Sequence, residues 1–200
     1  METSRLTFRP LTWDDLPFFT ALHADPVVAR HLMSGKPRSE AETREWLARV
    51  MSWYPDGLGH MGAVLKETGQ LVGRCGLQYF EVEQGVRRAR AFFGPGSAPA
   101  EVSTARVIEV GYTFHPSVWG KGLATEAALL MRDHGFARGE EQIMAVIHAE
   151  NAASIRVAER IGLSHRGDLE LSGRTFRRYQ ITRAEWERLA RAPLGPLKPI

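Results

Sequence analysis

The sequence predicts a mixed α/β fold of the α+β kind, in which helices flank a largely antiparallel sheet. Three observations predict it. Segments of strand and helix character alternate along the 200 residues. Short turn-forming stretches at Thr68-Gly69 and around Gly167 sit where hairpins are expected. At 107–126, VIEVGYTFHPSVWGKGLATE, an apolar strand passes through a glycine-bearing turn directly into an amphipathic helix.

The elements follow in order. Leu6-Thr7-Phe8-Arg9 alternates as an opening strand, and Thr12 or Asp14 is placed to cap a helix over 13–24. Ser39 opens a second helix, with Glu42 completing a capping box and Trp46, Leu47, Val50 and Trp53 on one face. Gly62–Glu67 and Gln70–Phe80 form a hairpin about Thr68-Gly69. The strand before the glycine turn covers 106–115 and its helix 123–137. Gln142–His148 is the next strand, and Asn151 caps a helix that Gly162 ends in the left-handed conformation. Leu163-Ser164-His165 with Gly167 begins a last hairpin that returns through Arg174–Thr182. Thr182 and Glu185 form another capping box and open a helix through Arg191. Residues 1–192 thus read as one domain, followed by a Pro-rich tail at 193–200 that is expected to fray.

The junction at 107–126 presents free backbone N–H groups at the positive end of a helix dipole, a seat for phosphate or pyrophosphate. Gly120 and Gly122 let a ligand approach the backbone closely, while Leu123 and Ala124 begin the packed helix. Two familiar nucleotide motifs fail. Trp119-Gly120-Lys121-Gly122-Leu123-Ala124 lacks the third glycine of G-x-G-x-x-G, and His115 stands where a P-loop needs glycine.

The segment instead resembles the acyl-CoA pyrophosphate loop, [QR]-x-x-G-x-[GA], of the GNAT (Gcn5-related) N-acetyltransferases. Gly122 and Ala124 match its last two positions, and Trp119 stands where Gln or Arg is usual. The run W-G-x-G-x-A-T-E-A is similar to the variant of the RimJ/RimL-like branch, which acetylates ribosomal-protein N-termini. A second motif follows by one helix and one strand, the family's order. Residues 150–163, ENAASIRVAERIGL, resemble its N-x-x-[AS]-x-x-[LV]-x-x-[KR]-x-G-[FL] segment. The resemblance is strongest over 107–163 and faint before residue 60.

That resemblance implies the GNAT-type sheet, in which the strands before and after the glycine-loop helix splay apart and hold the pantetheine arm. It implies acetyl-CoA (coenzyme A) as acyl donor, with Trp119, Gly120, Lys121, Gly122, Leu123, Ala124 and Thr125 at the pyrophosphate. It places the main chain of Tyr112, Thr113 and Phe114 along the pantetheine amides, and Asn151 as both helix cap and pantetheine contact. Acyl transfer to an amine needs a base, and Glu109 points away from the face shared by Ile108, Val110, Tyr112 and Phe114. Family members commonly hold a catalytic Glu at about this distance before the loop; a solvated strand-edge Glu or a salt-bridge partner is the alternative. The leaving-group Tyr that many members place seven residues after the motif Asn is replaced by Ala158. Ser154 is the substitute donor to the departing sulfur, unless its hydroxyl serves its own helix.

The reaction so implied is acetyl transfer to a primary amine by direct attack in a ternary complex. The acceptor is a protein N-terminus or a small amine, and the competing reading is a non-catalytic acyl-CoA-binding or regulatory domain. Residues 81–105 separate strands that the family joins by a short turn, and read as a substrate-side flap, a loop without chemical role, or a homodimer contact. Cys75, alone of its kind, excludes an internal disulfide and reads as packing. The seven histidines lack ligand spacing, so no metal is expected. His115 reads as a turn residue, Trp119 as packed under the turn, and Trp13, Trp46, Trp53 and Trp186 as lying on helix faces. With a net charge of +3 and dispersed basic residues, nucleic acid is an unlikely partner. No apolar run approaches a membrane span and no secretory segment precedes the first strand, so a cytoplasmic location without membrane contact is expected.

Overall fold

The computed structural model describes residues 1–32, 34–83, 89–91, 104–171 and 173–191. Eight strands form one sheet: β1 (Leu6–Arg9), β2 (Gly59–Leu65), β3 (Leu71–Glu83), β4 (Ala89–Ala91), β5 (Thr104–Phe114), β6 (Gln142–His148), β7 (Ser164–Leu171) and β8 (Arg174–Thr182). Seven of them follow the path β1-β2-β3-β5-β6-β8-β7, and β4 pairs with the far end of β3. Every pairing is antiparallel except β5–β6. The expected sheet of mixed, largely antiparallel character is therefore the one found.

Helices cover both faces. The α1 (Leu16–Ala24), α2 (Pro26–Ala29) and α3 (Glu40–Ser52) helices lie on one face; α4 (Leu123–Ala137), α5 (Ala152–Arg160) and α6 (Arg183–Arg191) lie on the other. The faces are set by strand alternation. Cys75, Leu77, Ile108 and Val110 point toward α4, whose Gly135 approaches Leu77 and Ile143 closely enough that a Cβ there would lie 2.6 Å from Ile143 Cδ1. His60, Arg74, Gln78, Glu109 and Thr113 occupy the opposite face, where Trp46 of α3 stacks on His60 at 6.4 Å. Cys75 is fully buried and burial pushes its thiol up to about 12, which fits packing.

The capping boxes form as their spacing dictates. Ser39 N–H donates to Glu42 at 2.7 Å and Glu42 N–H returns to Ser39 Oγ at 3.2 Å; Thr182 and Glu185 repeat the pair at 2.8 and 3.3 Å. Gly162, at φ 86°, ends the helix after Asn151.

Two helical readings gain detail and two strand boundaries need correction. The helix expected over 13–24 is found with Thr12 as its cap, Asp15 completing the capping box on the Thr12 amide (2.9 Å) and taking a two-pronged bond from Arg9 (2.7 and 2.8 Å); its first turn, Trp13–Asp15, is wound as 3-10 before α1 because Pro17 has no N–H to give Trp13. Trp13, on that first turn, is 48 % exposed, its ring 5.7 Å from Arg44 Cζ. The β2 strand starts at Gly59, before the expected Gly62. Residues 81–105 are strand at both ends, since β3 runs to Glu83 and β5 starts at Thr104 in continuous register, with β4 between them. The remainder of that segment and the Pro-rich tail lie outside the described residues.

Glycine is obligatory at one crossing. A Cβ on Gly76 would lie 2.2 Å from the Gly59 carbonyl oxygen across the β2–β3 ladder. Gly76→Ala is expected to destabilise the fold by about 1–3 kcal/mol through this overlap, read as a lower melting temperature in thermal denaturation.

Candidate functional site

The β5–β6 pairing is the geometric centre of the site. Only Ile108↔Ile143 and Glu109↔Met144 are in register, although β5 continues to Phe114 and β6 to His148. Each strand is instead held by its outer neighbour: β5 by β3 from Thr104 to Phe114, and β6 by β8 along its whole length. The two ladders twist apart and leave a wedge. A cavity of about 700 Å3 enters at the glycine turn, passes between β5 and β6, and opens into a chamber against α3.

Gly120 and Gly122 adopt left-handed φ values of 74° and 76°. A Cβ on Gly120 would meet nothing within 4 Å, so conformation alone demands glycine there. Gly122 is the N-cap of α4 and has no side chain to close the first turn. The amides that follow face a cavity lined by Gly122, Leu123, Ala124 and Thr125, an anion seat by geometry and dipole. Lys121 departs from expectation. It is not in the lining, and its carbonyl accepts from Arg5 at 2.8 Å. Arg5 also donates to Glu126 through Nε (2.7 Å) and its backbone amide (2.8 Å), joined by Ser4 Oγ (3.0 Å). Partial burial opposes ionisation of Glu126, but the donors around it, Thr3, Arg5 and Ser4, prevail and hold the carboxyl at about 2. This brace, 121 residues apart in sequence, has no local signal.

Trp119 lines the cavity mouth but does not pack under the turn: it is 44 % exposed, and Val118 takes the buried position. Its indole N–H donates to the Phe114 carbonyl at 2.7 Å, satisfying the last residue of β5. His115 accepts from the Ser117 amide at 3.2 Å, an ordinary turn contact.

Glu109 stands at the last paired register of β5 with β6 and is 7 % exposed, so it is not solvated, and among the described residues no cation lies within ion-pair distance of it. Its carboxylate accepts from Gln78 Nε2 at 2.5 Å and from the Val146 backbone N–H at 3.3 Å. The second bond exists because β6 has left β5, freeing an amide that points into the wedge. Burial raises the carboxyl to about 7, against the pull of these two donors and of Arg74.

Across the wedge, Asn151 Oδ1 caps α5 by accepting from the Ser154 amide at 3.1 Å. Asn151 and Ser154 both line the cavity. The Tyr112 hydroxyl donates to the Ser154 carbonyl at 3.3 Å, tying β5 to α5 over the gap, and burial pushes that phenol above its usual range. Ala158 is buried against the core and offers no proton donor. Thr113 and Phe114 complete the wall of β5, so every expected donor-side residue except Lys121 meets in one cavity.

Residues not assigned to the site from sequence line the chamber beyond Glu109: His60, Arg74, Arg38 and Trp46. The registers His60↔Gly76↔Gly111 explain the His60 seat, since a Cβ on Gly111 would come within 2.9 Å of its Nε2. Only strand pairing brings those residues together. Among the described residues no group of three or more His, Cys, Asp or Glu is placed to hold a metal, and no helix is long and apolar enough to cross a membrane.

Residues 5–164 match the family model described as an acetyltransferase (GNAT) domain. The chain belongs to the GNAT acetyltransferase family. Among similar proteins is the uncharacterized protein YkkB of Bacillus subtilis, 30% identical over 181 residues, 88% of this chain and 86% of the relative. The solved fold of aminoglycoside acetyltransferase AAC(6')-Ib in complex with coenzyme A superposes with a TM-score of 0.69 at 18% identity, covering 92% of this chain and 99% of that one. RimL, a ribosomal L7/L12 α-N-protein acetyltransferase also in complex with coenzyme A, gives 0.63 at 16% identity, with 90% and 95% covered. At such identities these likenesses establish the GNAT fold alone.

The Glu109 carboxyl makes a pH-dependent contribution to folding. Its folded value of about 7 lies above the ordinary 4.5, so between those pH values the folded protein binds the proton more tightly than the unfolded chain. Stability from this group is therefore complete below about 4.5 and lost as pH rises through about 7. Glu109→Gln is expected to be more stable than the parent at pH 8, on the order of 1–3 kcal/mol, and nearly equal at pH 5. Urea denaturation at the two pH values measures it.

Proposed function

We propose that this protein is an acetyl-CoA-dependent N-acetyltransferase of the RimJ/RimL-like branch, acetylating a primary amine by direct attack in a ternary complex. The supporting observation is a single buried carboxylate, poised to ionise near neutrality, at the point where the uncapped glycine turn and the acceptor-side chamber open into each other. The residues present fit the donor. The first-turn amides of α4, with no cap of their own, would receive the pyrophosphate, and the β5 edge released by β6 would receive the pantetheine amides. When bound, acetyl-CoA supplies the thioester acyl group.

The chain's own residues divide the proton work. Glu109 holds its base form because Gln78 and the Val146 amide donate to it, and it takes a proton from the incoming ammonium or attacking amine. Ser154, held by the Asn151 cap and by Tyr112 on its carbonyl, gives a proton to the departing sulfur. Burial of Glu109 keeps bulk water from the base. The acceptor is a protein N-terminus or a small amine, and the protein acts in the cytoplasm. One observation favours a second reading, a non-catalytic acyl-CoA-binding domain: Ala158 stands where many GNAT enzymes have their proton donor.

Calorimetry with acetyl-CoA, followed by free-thiol release against amines and N-terminal peptides, separates the two readings. Binding with acceptor-dependent release is expected; binding without release supports the sensor. Gly122→Glu should abolish acetyl-CoA binding, because a side chain is strained at φ 76° and its charge opposes the pyrophosphate. Glu109→Gln should leave binding intact, lower kcat by about 100-fold near pH 7, and remove the rising limb of the pH–rate profile with an apparent value near 7. Unchanged turnover in Glu109→Gln would remove it as the base.

A further inference from the structure

The acceptor-side chamber is built around a buried cation that Glu109 reaches only through its longer-range charge. Arg74 is 8 % exposed, with its Nη1 2.8 and 2.9 Å from the two ring nitrogens of His60 and its Cζ 5.0 Å from the Trp46 ring centroid. Neither neighbour is an anion, because burial beside Arg74 keeps His60 neutral. Arg74 Nε has no hydrogen-bond partner among the described residues. Arg38 lines the same chamber and its charge bears on Arg74; Arg49 in turn bears on Arg38. Among the described residues no carboxylate lies within ion-pair distance of Arg38 or Arg74. Glu109, the nearby acid on this face of the sheet, is already held by Gln78 and Val146.

A buried guanidinium without a counter-ion is costly, and the cost is recovered only when an anion arrives. Arginine's fork suits a carboxylate or phosphate. The spacing follows from the register. Arg74 contacts His60, and His60 sits over Gly76 and Gly111. The Gln78–Glu109 row is two residues away, about 7 Å along the strands.

We infer that the acceptor is a primary amine bearing an anionic group, carboxylate or phosphate, and that Arg74 and Arg38 bind this group while the amine faces Glu109. The inference rests on the transferase reading above and narrows its acceptor. A polycationic amine is the wrong charge for this chamber. An acid-bearing small amine and a peptide with an acidic residue behind its N-terminus offer the same chemistry, and matched probes tell them apart.

The test is thiol release by the full-length protein at saturating acetyl-CoA. The probe pairs are phosphoethanolamine with ethanolamine, γ-aminobutyrate with its amide, and the peptide Ser-Asp-Ala with Ser-Asn-Ala; spermidine is the cationic control. In at least one pair the acidic member should exceed its neutral partner in kcat/KM by roughly tenfold or more, and that pair names the source. In Arg38→Gln the preference should fall to within about threefold, with acetyl-CoA affinity unchanged; Arg74→Gln should do the same. If Arg74→Gln fails to fold, as its circular dichroism would reveal, the more accessible Arg38→Gln decides. Equal or faster turnover of the neutral partners, or of spermidine, overturns the inference. If no probe releases thiol, calorimetry of the acidic probes with CoA-loaded protein decides. Binding that Arg38→Gln abolishes keeps the anion site while the transferase reading falls, and no binding overturns the anion site.

Discussion

The parting of β5 from β6 is the constraint on which the rest depends. Parallel neighbours would ordinarily keep pairing, yet here each strand follows a longer antiparallel partner on its outer side, and the two ladders diverge after Glu109. That divergence frees backbone groups on both walls. One of them, the Val146 amide, turns to the Glu109 carboxylate. The wedge, the cavity and the buried acid are thus one structural event rather than three features that happen to coincide.

The two ends of the cavity are made of different material. The glycine turn acts through backbone: left-handed glycines, an uncapped helix start and aligned amides, braced from behind by Arg5 and Glu126. Such a seat suits a polyanion and is indifferent to side-chain identity at most positions. The chamber beyond Glu109 acts through side chains drawn from α3, β2 and β3, where Trp46, His60 and Arg74 stack on one another. The glycine turn is thus a product of local geometry, whereas the chamber is a product of which side chains the sheet registers assemble.

That division explains how much was legible beforehand. The strand–turn–helix at 107–126 and the Asn151–Gly162 helix are contiguous in sequence, and their caps and glycines act over a few residues, so their placement followed from spacing. The face of Glu109 followed from alternation along β5. Trp119 was misplaced because the 3-10 turn at Pro116–Val118 puts Val118 inside and leaves the indole to satisfy the Phe114 carbonyl. The helix from residue 13 was placed correctly, and only its first turn is 3-10, since Pro17 cannot donate to the Trp13 carbonyl. The segment 81–105 looked like one excursion because its second half is rich in Gly, Pro, Ala and Ser, whereas ladder continuity with β3 makes its ends strand.

By itself the sequence determined the order of the longer strands and helices, though not α2 or β4, together with the helix caps, the glycine turn and its family resemblance, because each depends on residues within a turn or two of one another. Only the tertiary structure decided that Glu109 is buried and held by Gln78 and Val146, that Arg5 braces the loop through Glu126, and that Arg38 and Arg74 face the same chamber. Those groups lie on different strands, helices and connecting segments, and their distances are set by register, twist and packing, which no single segment encodes.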